Sequence, residues 1–173
     1  MNRILFTLVI MTLVFTKLQA TEGDSITYNL KDKLEWTDFK MNPDLSNSSK
    51  IYLDVTIATF TKKVDIWWGI ITVESFAGVI RDKSWVKPDF QSDLLLEYVQ
   101  LKYEIANFYA KSCEKEINKK KINAAFTNKI SKIIEKYIDK MNLTFKKYDL
   151  ETDFGDNQEM MDKWKAAVAN GNL

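Results

Sequence analysis

The side chains of Tyr98 and Lys102 have a spacing that could support chemistry. They lie in the stretch 94–111, LLLEYVQLKYEIANFYAK, which reads as a helix. Residues i and i+4 of a helix project side by side, so this phenol and this ammonium face the same direction. Short-chain dehydrogenases use a Tyr–Lys pair at this spacing for proton transfer. They also need a glycine-rich nucleotide-binding turn in an alternating strand–helix fold, and the sequence lacks both.

Two groups of carboxylates could bind a cation. Asp93 and Glu97 form an i, i+4 pair, and Asp149, Glu151 and Asp153 cluster later in the chain. Oxygen ligands suit calcium better than zinc, although the calcium-loop pattern with its central glycine is absent. The alternative is that these charges form a solvated face.

Nucleophilic and metal-binding side chains are scarce. The chain has no histidine and a single cysteine, Cys113, so it has no internal disulfide. We expect Cys113 to be a small buried residue on the helix.

Residues 95–111 resemble the active-site helix of a bacterial family of predicted secreted zinc-dependent proteases of unknown function. That helix reads approximately Leu-Leu-x-His-Glu-Gln-x-His-Phe-Asp-Ile-Ala-Glu-x-Tyr-Ala-Arg. Five residues of this chain match it outright: Gln100, Ile105, Ala106, Tyr109 and Ala110. Other segments that are similar to family motifs follow in the same order: LEWTDF at 34–39, SWV at 84–86, YDLETDFG at 148–155, then Gln158 and Trp164.

The resemblance implies a zincin-like metalloprotease scaffold with a catalytic zinc. It implies histidine ligands at 98, 102 and 154 and a catalytic glutamate at 99, since such enzymes hold zinc with His-Glu-x-x-His. This chain has Tyr98, Val99, Lys102 and Phe154 there. We therefore predict no metal, no cofactor, no catalytic residue and an inactive protease-like protein with a binding or structural role in the cell envelope. The alternative is an active hydrolase with a rebuilt site that uses no histidine.

The ammonium of Lys102 would then occupy the position of a metal ligand. A buried ammonium needs a partner. We predict pairing with Asp149, Glu151 or Asp153, or with Tyr98. The alternative is that Lys102 extends to solvent.

The hydropathy pattern predicts an α+β fold, with N-terminal antiparallel strands followed by three helices. Ser92 is the expected N-cap of the first helix, and Asp156 that of the third. We expect one of Trp67 and Trp68 to be buried, because neighbouring strand residues face opposite ways. The predicted strands are 51–60 and 64–73, with 74–80 as a continuation or a third strand, and the predicted helices are 93–118, 123–141 and 157–169.

The N-terminus predicts export. Residues 1–20 have the basic start, apolar run and small final residue of a cleaved signal peptide, which implies a secreted or periplasmic protein. The alternative is an uncleaved N-terminal anchor. We expect 21–32 to be a flexible lead-in and 33–173 a single metalloprotease-like domain without a membrane span. Residues 21–173 contain 23 basic and 24 acidic residues. This balance argues against nucleic acid and against an anionic membrane as the main partner, and leaves an unidentified protein or peptide.

Overall fold

The order of elements is strands first and helices after, as the sequence predicts for an α+β fold. The computed structural model describes residues 33–43 and 45–173. The predicted signal peptide and lead-in lie outside these residues. The strands and helices are β1 (Ile51–Tyr52), β2 (Val55–Val64), β3 (Ile71–Val79), β4 (Trp85–Val86), α1 (Asp93–Lys120), α2 (Thr127–Glu151) and α3 (Gln158–Ala169).

The strands form two small antiparallel pairs, β1 with β4 and β2 with β3. The predicted single strand over 51–60 is wrong, because the chain leaves the first pair at Asp54. There the backbone N–H of Asp54 donates to Ser84 Oγ at 3.0 Å, and its carbonyl accepts from Ile80 N–H at 2.8 Å. These two hydrogen bonds separate β1 from β2.

The turn between β2 and β3 lies later in the chain than the sequence suggested. A turn at 61–63 was expected, whereas β2 continues to Val64 and residues 65–70 form the connection. The carboxylate of Asp65 accepts from the backbone N–H groups of Trp67 and Trp68 at 3.0 and 2.8 Å, and Gly69 has φ +62°. Both tryptophans are exposed, so the expectation that one is buried is wrong. They belong to a turn, where strand alternation does not apply.

Helix α1 lies along the edge of β3 that does not pair with β2. Its Asn118 side chain binds both the N–H and the carbonyl of Val73, at 2.8 and 2.9 Å. The Glu114 carboxylate accepts from Ser75 N–H at 2.8 Å, and Asn107 Oδ1 from Ala77 N–H at 3.4 Å. The helix thus satisfies backbone groups that a neighbouring strand would otherwise take.

The helices differ from the prediction mainly at their ends. Ser92 caps α1 as expected, accepting from Leu95 N–H at 3.2 Å. Helix α2 continues ten residues past Met141, because its period carries on to the buried Tyr148. The N-cap of α3 is Asn157 rather than Asp156, since the Asn157 side chain accepts from Met160 N–H.

The hydrophobic core surrounds α1, which supplies Ile105, Ala106, Ala110 and Cys113, all fully buried. The prediction that Cys113 is buried is confirmed. In the part of the chain that the structure describes, no helix is long and apolar enough to cross a membrane.

Candidate functional site

The three positions of α1 singled out by the sequence differ in exposure. Tyr98 and Val99 are buried, at 3% and 1% exposure. The Lys102 side chain is 14% exposed. Tyr98 and Lys102 point toward α2, as their i, i+4 spacing requires.

Asp149 of α2 receives both side chains. The Tyr98 hydroxyl donates to Asp149 Oδ1, and Lys102 Nζ donates to Asp149 Oδ2 at 3.0 Å. The Asp149 side chain is 21% exposed, so the pair is partly shielded from water. Lys102 Nζ also lies 5.2 Å from the centre of the Phe145 ring and 5.6 Å from that of Tyr98. We call these three polar residues the Tyr98–Lys102–Asp149 cluster.

Tyr148 of α2 contacts both the ring and the backbone of Tyr98. Its ring stacks on Tyr98 with centroids 5.2 Å apart, and its hydroxyl donates to the backbone carbonyl of Tyr98 at 3.1 Å. The rings of Tyr148 and of Trp164 in α3 pack edge to face, with their centroids 5.4 Å apart. Three helices therefore fix the orientation of Tyr98.

The electrostatics of the cluster keep its phenol neutral. Burial, with the hydrogen bond to Asp149 next in importance, raises the pKa of Tyr98 far above its ordinary value. Burial likewise raises the pKa of Tyr148, and that of the Cys113 thiol to about 11. At neutral pH none of these groups supplies an anionic base or nucleophile.

The other two carboxylates named as partners of Lys102 serve elsewhere. Glu151 accepts from the Trp164 indole N–H at 2.9 Å. Asp153 is exposed and has φ +48°. Lys102 therefore meets one of the three, Asp149.

Phe154 stands apart from the cluster. Its side chain is 54% exposed, and its backbone is left-handed with φ +51°. The following residue, Gly155, packs directly on the Tyr98 ring, because a Cβ there would lie 2.9 Å from Tyr98 Cγ. The segment after α2 thus contacts Tyr98 through glycine and not through Phe154.

These residues do not fit a zinc ion. Position 99 holds an aliphatic side chain and position 102 a cation, and the carboxylate of Asp149 is occupied by Tyr98 and Lys102. Throughout residues 33–43 and 45–173, no three His, Cys, Asp or Glu side chains group closely enough to hold a metal ion.

Concave surface lies beside the cluster. A groove of about 230 Å³ is lined by Leu95 and Gly155 among others, and one of about 280 Å³ by Glu151 and Trp164. Neither is lined by Tyr98, Lys102 or Asp149. The cluster is therefore an internal contact between helices.

Sequence reasoning missed Phe145, and it placed Tyr148 in the motif at 148–155 without predicting its contact with Tyr98. Tyr148 precedes Asp149 directly, and both aromatics lie on the apolar period of α2 beyond Met141. A longer second helix would have indicated that they face α1.

Comparisons with known proteins add no relative: no family model, no curated protein and no solved structure matches this chain. The resemblance to secreted zinc proteases stays a prediction from the motifs.

Proposed function

We propose that this protein is an exported, zincin-like metalloprotease homologue that has lost catalysis and has a binding or structural role in the cell envelope. The proposal combines the ordered motifs of the sequence with the chemistry at the implied zinc position. The signal-like residues 1–20 support export to the periplasm or the medium.

The observation that carries the proposal is the ion pair between Lys102 and Asp149. A catalytic zinc supplies a positive charge that activates water. Here an ammonium supplies a positive charge, and Asp149 neutralises it at 3.0 Å. An ammonium has no open coordination position for water, and Val99 cannot accept a proton. The implied zinc site therefore has neither a group that activates water nor a general base.

Burial favours a structural over a ligand-binding role for the cluster itself. Tyr98 and Val99 are almost inaccessible, and Tyr98 is fixed by Asp149 and Tyr148. The cluster joins α1 to α2 where the resemblance implies a substrate cleft. A protein or peptide partner is then expected on other surfaces.

The test is metal content and peptidase activity of the purified protein. We expect substoichiometric zinc by plasma mass spectrometry after zinc loading and dialysis. We also expect no cleavage of unfolded casein above a buffer control. Stoichiometric zinc would overturn the proposal.

Two variants distinguish the alternative, an active hydrolase with a rebuilt site, from the inactive homologue proposed above. Casein cleavage that is lost in both Lys102→Met and Asp149→Asn, with the fold retained by circular dichroism, would support that alternative. Cleavage that survives both substitutions indicates a contaminating protease.

A further inference from the structure

The turn between β2 and β3 presents three consecutive large apolar side chains to solvent. Ile66, Trp67 and Trp68 are 88%, 84% and 75% exposed. Single exposed apolar residues are ordinary, whereas a contiguous group of this size marks a contact site. Exposure this high means that the side chains protrude from the body of the protein.

The protruding turn is held firmly. In addition to the Asp65 contacts, Asn123 Nδ2 donates to the Trp68 carbonyl at 2.7 Å, and Ala124 N–H donates to the Gly69 carbonyl at 2.8 Å. These bonds dock the turn on the residues that lead into α2. Phe126, 51% exposed, extends the apolar surface there. We call Ile66, Trp67, Trp68 and Phe126 the aromatic tip.

Lysines surround a groove beside the aromatic tip. Its volume is about 630 Å³, and Lys120, Lys121, Lys129 and Lys132 line it together with Phe126, while no acidic residue does. Lys120 pairs with Glu116 at 3.3 Å.

The remaining three lysines of the groove have no carboxylate partner among the described residues. With the carboxylates that the structure describes, Lys121, Lys129 and Lys132 form no salt bridge. The acidic residue of the turn, Asp65, directs its carboxylate to the backbone N–H groups of the turn. This end of the molecule is therefore apolar and cationic.

We propose that the aromatic tip and its lysine groove dock the protein on the surface of an anionic lipid bilayer. Trp side chains favour the bilayer interface, because the indole has an apolar body and a polar N–H. Lysines near an anionic leaflet add electrostatic attraction. The near-zero net charge, which argued against such a surface, averages over the whole chain and conceals this local excess.

The shape of the site selects a lipid surface over a protein partner. A protruding turn enters a soft interface without a matching cavity, and the lysines beside it then lie at the level of the headgroups. A protein partner, or a second copy of this chain, would need a pocket complementary to two adjacent indoles.

The experiment is co-sedimentation of residues 21–173, the chain expected after removal of the signal peptide, with vesicles of phosphatidylcholine alone or with 30% phosphatidylglycerol. We expect binding to the anionic vesicles that is at least tenfold stronger than to the neutral ones and that weakens with added salt. Equal binding to both vesicles, or none to either, would overturn the proposal.

Substitutions at the aromatic tip test the apolar component. Trp67→Ser/Trp68→Ser should weaken partitioning at least tenfold. The control is Leu143→Ser/Leu150→Ser, which alters two α2 side chains that are 66% and 72% exposed, and it should bind as the wild type does. Equal loss in both variants would contradict a specific tip.

Substitutions in the groove test the charge. Lys129→Gln/Lys132→Gln should weaken binding to anionic vesicles about 25-fold, from about fivefold per lysine. Lys33→Gln/Lys146→Gln removes the same charge from exposed positions elsewhere and should have less than a threefold effect. An identical effect in the two variants would mean that net charge alone governs binding.

Self-association is the competing outcome. If sedimentation velocity shows a dimer that Trp67→Ser/Trp68→Ser dissociates, and vesicles are not bound, the aromatic tip is an interface between copies and the lipid proposal fails. Thermal melts within 3 °C of the wild type would show that each variant is folded.

Discussion

The Lys102 ammonium donates to Asp149 Oδ2 while the Tyr98 hydroxyl donates to Oδ1 of the same carboxylate. One aspartate of α2 thus satisfies two side chains of α1 that are one helical turn apart. Loss of Asp149 would leave both Tyr98 and Lys102 without this acceptor, whereas loss of either of those residues would leave the other still bound to Asp149.

Removing Asp149 should therefore destabilise the fold more than removing Lys102. We expect Asp149→Ala to lower the free energy of unfolding by about 2–4 kcal/mol, because it leaves a shielded ammonium and a buried hydroxyl unpaired. Lys102→Met should cost about 1–2 kcal/mol, since Tyr98 still donates to Asp149. Urea denaturation of both variants and the double variant measures the coupling, and a loss in Asp149→Ala below about 1 kcal/mol would contradict this picture.

Gly155 should tolerate no side chain. Gly155→Ala introduces a Cβ 2.9 Å from Tyr98 Cγ at a backbone angle of φ +95°, and we expect a cost of about 2–4 kcal/mol. Gly171→Ala is the matched control, because φ is +69° there but the nearest atom, Phe108 Cε2, lies 3.9 Å away. It should cost about 1 kcal/mol from backbone strain alone. Equal losses in the two variants would show that contact with Tyr98 is unimportant.

Alkaline pH should destabilise the protein through its buried phenols. The folded-state pKa of Tyr98 is raised by burial and Asp149, and that of Tyr148 by burial, so the unfolded chain releases these protons first. The stability they provide is complete below about pH 10 and is lost as pH rises further. In Tyr98→Phe, the slope of unfolding free energy against pH above 10 should fall by about 1.4 kcal/mol per pH unit. An unchanged slope in chemical denaturation would mean that Tyr98 ionises freely.

Acid should weaken a second contact between α1 and α2. The hydrogen bond from Lys136, with one from Tyr137, lowers the pKa of Glu116 to about 2. Its stabilisation is present above about pH 4.5 and is lost as pH falls toward 2. The site is partly exposed, so we expect a contribution below about 1 kcal/mol. Glu116→Gln should remove this part of the pH dependence between 5 and 2, whereas Glu135→Gln, at an exposed position of α2, serves as the control.

Histidines at positions 98 and 102 should create a metal site with Asp149. Tyr98 and Lys102 converge on one carboxylate, so Tyr98→His/Lys102→His would direct two imidazoles and an oxygen ligand to a common point. We expect stoichiometric zinc in this variant and not in the wild type. The same variant with Asp149→Asn should bind zinc at least tenfold more weakly. Equal affinity with and without Asp149 would show that the side chains do not converge.

The sequence predicted the local elements better than their connections. The cap at Ser92 and the period of α1 are local signals, and both hold in the structure. The turn at 65–70 was missed, since Ile66, Trp67 and Trp68 have strong strand propensity and only Asp65 and Gly69 indicate a turn. Strand propensity reflects packing on a half-buried sheet surface, and these three side chains do not pack on such a surface.

The site was predictable where it depended on helical spacing. Tyr98 and Lys102 had to share a face, and a carboxylate from 149–153 was the expected partner of the lysine. The choice of Asp149 depends on the length of α2, because only a helix that continues past Met141 turns residue 149 toward α1. The exposure of Phe154 depends on the left-handed backbone at 153 and 154, which aspartate adopts more often than most residues but phenylalanine does not.

The side chains of Asn107, Glu114 and Asn118 have a consequence for amide hydrogen exchange. The N–H groups of Val73, Ser75 and Ala77 point away from β2. Amides on the unpaired edge of a strand normally exchange quickly, yet each of these three donates to a side chain of α1. Their exchange should therefore require these side chains, or α1 itself, to move away from the sheet, and a deuterium label in β3 would report openings of the contact between α1 and β3. The same bonds occupy these three donors, so an incoming extended peptide cannot pair with them, which disfavours strand addition and amyloid-like growth along this part of β3.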